Sequence, residues 1–454
     1  MAKNFQKYLR ISIIFTTFAA VLKKQVQMEG EFVYRKRVAD ELLELQLEAA
    51  GYVLVEGAKW CGKTTTALQQ ARSVIFLDDP AKKQLYSQLA EMKVQKLLEG
   101  ENPRLLDEWQ KYPQVWDACR FVVDRSSKDG MFILTGSAKP VSKDKISHTG
   151  TGRVGWVKMR PMSLWESGES NGSVSLAELF KTPLQAESAR DLSLEDICFL
   201  VCRGGWPKAL DKSERAALKQ SYNYIDAIAK QDISEVDDTN RSEESTRRLL
   251  RSYARHQGSQ ASYGTIVADI SNNEKHAMSD ATVASYIKAL KKLFVIEDME
   301  AWNPNLRSKA AIRTADTRYF TDPSMATAAL GIGPADLMKD LNTLGLFFET
   351  LAVRDLRVYA EANDGQVFHY RDNNNLECDA VIHLRNGHYG LVEIKLGGES
   401  LINEGAKNLL LLEQKINTDK MYVPSFKMVL TAVGQYAYRR EDGVYVVPIG
   451  CLKP

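Results

Sequence analysis

The sequence predicts a multidomain α/β protein. A parallel, helix-covered sheet comes first, then a helical lid, a winged-helix middle domain and a C-terminal α/β domain. Three observations lead there. The chain has 454 residues, too many for one hydrophobic core, so about two to four domains are expected. Short apolar runs alternate with helix-like segments in the first third, the pattern of a parallel sheet covered by helices. Far downstream, two runs of alternating apolar residues flank Arg385–Asn386–Gly387, which reads as a hairpin in a separate domain.

The first helix is expected around Val38–Leu45, leading into a buried strand at Gly51–Glu56. Gly57–Thr64 then reads GAKWCGKT and fits G-x-x-x-x-G-K-[ST] without departure. Good helix positions follow from Thr64 to Ala71. A strand, a glycine-rich loop and a helix N-terminus together make an anion site, because free backbone N–H groups and the helix dipole converge there. The candidate phosphate-binding residues are Gly57, Ala58, Lys59, Trp60, Cys61, Gly62, Lys63, Thr64 and Thr65. Lys63 should reach the β- and γ-phosphates, and Thr64 should place its hydroxyl on Mg²⁺. Trp60 is read as packing, and Cys61 as either an oxidisable thiol or an inert filler.

A second strand is expected at Ser73–Asp79 and a charged helix over 81–99. Hydrolysis needs a carboxylate site beside the phosphates. PRLLDEWQ (103–110) supplies one: Leu105–Leu106 end a short strand, Asp107 can hold Mg²⁺ and Glu108 can act as the base that prepares water. A helix over Asp117–Asp124 and a third strand over Met131–Ser137 follow. Thr135 and Ser137 either sense the γ-phosphate or are simply strand-end turn residues.

With HTGTGR (148–153), MRPMSLWE (159–166), GGWP (204–207) and YIDAIAKQDI (224–233), these stretches resemble AAA+-type P-loop ATPases of bacteria and archaea. Those proteins carry a C-terminal domain of uncharacterised function related to the PD-(D/E)XK nuclease fold. The resemblance runs from about residue 30 to the end. It implies ATP as the nucleotide, which no base-reading motif in the loop settles. It also implies an arginine near the γ-phosphate. Arg153 is the candidate, acting in cis or across a subunit interface, or else a surface arginine beside a flexible loop.

Net charge is +2, so any nucleic-acid footprint must be local. Six cysteines show no CxxC pair, which fits a reduced cytoplasmic setting and argues against a disulfide framework or zinc site. Ile11–Leu22 follows Lys3, Lys7 and Arg10 and resembles a signal-peptide core too short to span a membrane. Residues 1–27 are therefore read as a leader or a mis-called start before Met28, the alternative being a membrane-associating segment. No stable membrane span is expected.

The ATPase core is assigned to 28–167. Residues 168–190, rich in Ser, Gly and Glu, read as a linker and begin a lid region that runs to 240. Gly204–Gly205 there is either a hinge or a tight turn. Over 241–335, helices at Glu244–His256, Ser262–Ile270 and Ser279–Phe294 precede two β-like runs, Val295–Trp302 and Thr317–Thr321. This is a winged-helix pattern. Lys288, Lys291, Lys292, Arg307, Lys309, Arg313 and Arg318 could meet DNA phosphates. Asp280 near the start of the third helix argues against base contact, and such modules also contact proteins.

Residues 336–454 form the last domain. A three-residue loop with Gly387 left-handed pairs Leu384 with His388 and so sets Asp379 opposite Glu393, with Lys395 on the same face. A two-residue turn would instead set Asp379 opposite Ile394. The D…ExK set matches the PD-(D/E)XK pattern that the resemblance implies. It makes Asp379, Glu393 and Lys395 a possible nuclease site, which Glu349 completes, with Arg371 to support a phosphate. The bland alternative is an exposed cross-strand ion-pair patch. The expected whole is a Mg²⁺-dependent ATP-binding protein and ATPase whose nucleotide state positions the downstream domains. The alternatives are an ATP-regulated DNA nuclease and a nucleotide-operated, protein-binding switch with an inert C-terminal domain.

Overall fold

The computed structural model describes residues 33–136, 151–237, 239–274, 277–305 and 312–454. The expected leader, Ser137, His148–Gly150, Arg307 and Lys309 lie outside the described residues. The chain divides into two compact units, 1–159 with 236–238, and 160–235 with 239–454.

The first unit is a five-stranded sheet in the order β2-β3-β4-β1-β5. Its strands are β1 (Tyr52–Gly57), β2 (Ser73–Phe76), β3 (Arg104–Asp107), β4 (Phe132–Gly136) and β5 (Val154–Met159), and every pairing is parallel. The helices are α1 (Val38–Ala49), α2 (Lys63–Gln70), α3 (Lys83–Met92) and α4 (Gln114–Val123). Both faces of the sheet are covered, which is why β1 is a nearly unbroken apolar run rather than an alternating one. Tyr52 and Leu54 join Leu106, Leu134, Trp109 and Trp116 in one core. Val53 and Val55 point the other way and pack with Leu43, Ala67, Leu105 and Ile133.

The second unit is helical in its first part, with α5 (Leu194–Arg203), α6 (Glu214–Ala227), α7 (Glu243–Arg255), α8 (Tyr263–Glu274), α9 (Asp280–Lys292), α10 (Pro323–Leu330) and α11 (Leu341–Glu361). Ser262 and Ser279 cap α8 and α9 by accepting from Thr265 N and Thr282 N, each at 3.1 Å. Val283, Ile287, Leu290 and Phe294 are all buried. After α9 the two β-like runs meet only as isolated antiparallel bridges, Ile296 with Phe320 and Met299 with Thr317.

The Gly204–Gly205 pair sits in a packed turn. A Cβ on Gly204 would lie 2.3 Å from Asp322 Oδ1, and one on Gly205 2.1 Å from the Met162 carbonyl oxygen. Asp322 accepts Gly205 N at 2.9 Å and pairs with Arg354 at 2.8 Å, all three side by side in the interior. The helices over 194–227 pack on α10 in the same body as everything downstream.

The C-terminal sheet has seven strands in the order β7-β12-β13-β11-β10-β9-β8. They are β7 (Glu187–Ser188), β8 (Gly365–Arg371), β9 (Glu377–Leu384), β10 (Tyr389–Lys395), β11 (Phe426–Thr431), β12 (Tyr436–Arg439) and β13 (Tyr445–Pro448). Helix α12 (Glu399–Lys415) covers one face through Ala406, Leu409 and Leu412. Residues 168–190 depart from the linker expectation. β6 (Val174–Ser175) pairs in parallel with β14 (Leu452–Lys453), and β7 pairs with β12. Their composition reads as a loop because the partners that order them sit more than two hundred residues away. Among the described residues, no helix is long and apolar enough to cross a membrane. All six cysteines are free and buried.

Candidate nucleotide site

The strand order brings the carboxyl ends of β3, β4 and β1 side by side, where open parallel sheets gather ligands. From β1 the chain turns into the Gly57–Gly62 loop and enters α2 at Lys63. Gly57 has φ +153°, and a Cβ there would lie 2.0 Å from the Met159 carbonyl oxygen. The loop is thus wedged against the end of β5 at a position only glycine fits. Cys61 fills the space beneath, fully buried, which supports its reading as filler. Trp60 departs from the packing expectation. It takes φ +63° and is 55 % exposed, because the loop turns it outward. Ala58 is buried, Lys59 and Thr65 are half-buried, and Lys63 folds back over the loop to donate to Gly57 O at 3.0 Å and Ala58 O at 2.8 Å.

Thr64 Oγ1 donates to Asp107 Oδ1 at 2.9 Å, and the Thr135 hydroxyl donates to the same oxygen. Thr135 therefore orients Asp107. Burial pushes the Asp107 carboxyl up, and the Thr135 and Thr64 hydroxyls oppose it. A hydroxyl and a carboxylate are hard oxygen donors, the kind of set Mg²⁺ takes together with phosphate oxygens. Glu108 follows at φ +54°, its carboxylate accepting from Gln110 Nε2. Two further residues escaped the sequence reading. Arg37 donates to the Cys61 carbonyl at 2.8 Å, and the Tyr34 hydroxyl joins Asp40 to Thr66. Both lie upstream of the motif, and nothing local marks them.

Arg153 is not brought to this site. It immediately precedes β5, and its carbonyl accepts from Tyr52 N, so it lies at the amino ends of the strands. The phosphate loop lies at the opposite ends, about 20 Å away for a six-residue strand. Its side chain pairs with Asp124 at 2.7 Å. An action in cis is excluded by this topology.

Residues 50–167 match the AAA domain family. That interval contains the loop, Asp107, Glu108 and all five strands, so the similarity to the AAA domain family falls on the first unit. Residues 194–336 and 344–452 match two families described as domains of unknown function, DUF8612 and DUF4143. Uncharacterized proteins of Mycobacterium tuberculosis (Rv2008c) and Mycobacterium bovis (Mb2031c) are each 21 % identical over 416 residues, covering 91 % of this chain and 83 % of theirs. A solved structure of the Walker-type ATPase PABY2304 of Pyrococcus abyssi aligns at 14 % identity with a TM-score of 0.39, over 66 % of this chain and 99 % of that one. The fold of the first unit is read from its own sheet and loop.

The second cluster is in the C-terminal sheet. Leu384 N donates to His388 O at 2.8 Å and Gly387 is left-handed, so the three-residue loop is the one formed. The β9–β10 register runs from His383–Tyr389 to Ala380–Val392, so Asp379 and Glu393 are the next residues on the two strands, and Asp379 Oδ2 accepts from Ile394 N at 2.7 Å. Lys395 Nζ lies 2.7 Å from Glu393 Oε2 and 3.6 Å from Asp379 Oδ2. Glu393 is 1 % and Lys395 19 % exposed in the side chain, so this is no surface ion-pair patch. Among the described residues, buried Glu393 Oε1 has no hydrogen-bond partner. Burial and then the Asp379 charge push the Glu393 carboxyl up. For Lys395, burial acts downward and the Asp379 and Glu393 charges outweigh it. Glu349, on α11, accepts from the Tyr319 hydroxyl, and burial followed by the Asp379 charge push its carboxyl up to about 8. Among the described residues, no group of three or more His, Cys, Asp or Glu side chains is set to hold a metal ion. Asp379 and Glu393 thus stand as a pair bridged by Lys395, and Glu349 is beside them and not a third member. Arg371 faces Glu377 at 3.4 Å.

Among the cations expected at DNA, Lys291 and Arg318 both pair with Asp298, at 2.8 Å and within hydrogen-bond reach respectively. Arg313 donates to Asn375 at 3.0 Å.

Proposed function

We propose that the first unit binds ATP with Mg²⁺ and hydrolyses it. The observation that carries this is the single Asp107 oxygen shared by Thr64, at the start of α2, and Thr135, at the end of β4. This supports the reading because a hydroxyl and a carboxylate, the oxygens Mg²⁺ would take, meet beside the phosphate loop with Glu108 next in the chain. Mg²⁺, when bound, neutralises charge on the phosphate oxygens. The backbone of Gly57–Thr64 and Lys63 would hold the phosphates, Thr64 and Asp107 would hold the cation, and Glu108 would take the proton of the attacking water. Binding of a fluorescent ATP analogue tests the first half: Lys63→Ala should weaken it at least about tenfold, since a charge-assisted contact to phosphate is worth roughly 1.5–3 kcal/mol. Equal binding by Lys63→Ala would sink the assignment of this loop.

Control of the second unit by nucleotide state is the proposed output, carried through the chain where it passes between units at Met159–Arg160 and around Val236. A second reading, an ATP-regulated nuclease, is favoured by the Asp379–Glu393–Lys395 set, in which Glu393 is buried and the other two are partly exposed. Two carboxylates suit Mg²⁺, and the unpartnered Glu393 Oε1 is an oxygen that a cation would satisfy. Metal-dependent cleavage of duplex or single-stranded DNA, lost in Glu393→Ala, would support it. Association with a protein partner without cleavage would favour the switch reading.

A further inference from the structure

The Glu349 carboxylate is held by the three-helix module, although α11 carries it. Tyr319 lies on the segment that bridges back to the strand after α9, is fully buried, and donates its hydroxyl to Glu349 Oε1. The turn after α7 closes over the same carboxylate. A Cβ on Gly258 would meet Glu349 Oε2 and Oε1 at 3.2 and 3.3 Å, so the turn's backbone lies directly against it. Turn and segment are stitched together: Gly258 N donates to Arg318 O at 3.0 Å and Arg318 N to Ser259 O at 2.9 Å. The Gln257 side-chain oxygen then accepts from Phe320 N at 2.9 Å and from Thr350 Oγ1 at 3.2 Å. One amide thus ties the residue after Tyr319 to the residue after Glu349. The Arg357 guanidinium, one helical stretch further along α11, sits 5.7 Å over the Tyr319 ring.

The Tyr319 bond and the Gly258 turn together fix the side chain in one orientation. Helix α11 packs against β9 and β10, the strands that carry Asp379, Glu393 and Lys395, and the charges of Asp379 and Lys395 both act on Glu349.

We propose that Tyr319 is a positioning residue for Glu349 at the Asp379–Glu393–Lys395 cluster, so that the three-helix module sets the affinity of that cluster for a divalent cation. The proposal rests on the reading of this cluster as a cation site. Glu349 contributes as an outer carboxylate that orients the pair or water between them, and the Tyr319 bond keeps it turned toward them. Partners of this outer kind commonly change metal affinity about 10- to 100-fold when removed.

The test is Mn²⁺ binding to the full chain without nucleotide, followed by electron paramagnetic resonance, in an Asp107→Asn background that removes the other metal-holding carboxylate. Bound Mn²⁺ that is lost in Glu393→Gln locates the C-terminal site. Tyr319→Phe should then bind about tenfold more weakly. Glu349→Gln should weaken binding as much, and the double variant should be no weaker than Glu349→Gln alone. That non-additivity separates positioning from general loosening, which would add. Unchanged or tighter binding by Tyr319→Phe, or additive losses, would overturn the proposal and leave the cation-site reading standing. No Mn²⁺ bound, or binding indifferent to Glu393→Gln, would overturn both. Should Tyr319→Phe fail to fold by thermal melting, Gly258→Ala decides. It crowds the same carboxylate and should weaken Mn²⁺ binding. Unchanged affinity there would overturn the proposal.

Discussion

Thr64 Oγ1 donates to Asp107 Oδ1 across 2.9 Å, joining the first turn of α2 to the end of β3. The two residues lie forty-three positions apart in sequence, and the parallel sheet brings them together. Because each is also an oxygen donor for a hard cation, Asp107→Asn should abolish the Mg²⁺ dependence of nucleotide binding. Turnover should fall about 100-fold or more, while Mg²⁺-free nucleotide binding is kept. Titrating a fluorescent nucleotide with and without Mg²⁺ checks this. A variant that still tightens its grip on nucleotide when Mg²⁺ is added would refute the assignment of Asp107.

Gly57→Ala should destabilise the first unit. The new Cβ would sit 2.0 Å from Met159 O, at a φ that side chains rarely adopt. The loss should be about 2 kcal/mol or more, read from urea unfolding followed by tryptophan fluorescence. A variant as stable as the parent would mean the loop relaxes freely and is not wedged against β5.

Arg354 is 2 % exposed and pairs with Asp322 and Asp355, both fully buried. Replacing it with Met keeps the volume and strands two carboxylates. Removing one partner from such a network typically costs about 3–5 kcal/mol. The second unit should therefore unfold at markedly lower denaturant in Arg354→Met, with the first unit's nucleotide binding unchanged. Equal stability would show that water or protonation relieves the two acids.

The phosphate loop was legible because its signal is local: a strand, two glycines, Lys63 and a helix start lie within twenty residues. The β9–β10 register was legible for a similar reason, since loop length alone sets hairpin register. What the sequence hid is non-local. Residues 174–175 and 187–188 look like a linker because β14 and β12, their partners, are at the far end of the chain. Arg153 follows a glycine-rich stretch that invites a functional reading, yet only the strand pairing reveals which edge of the sheet it occupies. Gln110, Arg37 and Tyr319 act on residues already singled out, and no spacing rule points to them. Lys291 and Arg318 read as phosphate contacts in sequence, and only the fold shows that both pair with Asp298.

Glu349 also makes stability depend on pH. Its folded carboxyl is raised to about 8 by burial first and by the Asp379 charge second, whereas in the unfolded chain it titrates near the ordinary value of 4.5. Between those values the folded state binds more protons, so stability falls as pH rises through that window. The metal-free second unit should lose melting temperature from pH 5.5 to 8.5, and Glu349→Gln should flatten that slope. A parent whose melting temperature rises across the same range would contradict a raised Glu349 carboxyl.

The decisive measurement is phosphate release from ATP with Mg²⁺ by the full chain and by Glu108→Gln. Glu108 follows Asp107 at the end of β3, and exchanging its carboxylate for an amide removes a base while leaving the loop, Lys63 and the Thr64–Asp107 pair in place. Measurable turnover is expected in the parent, with a loss of about 100-fold or more in the variant and nucleotide binding retained in both. Turnover in Glu108→Gln equal to the parent, or no turnover in a parent that binds ATP tightly, would contradict ATP hydrolysis at this site by Glu108.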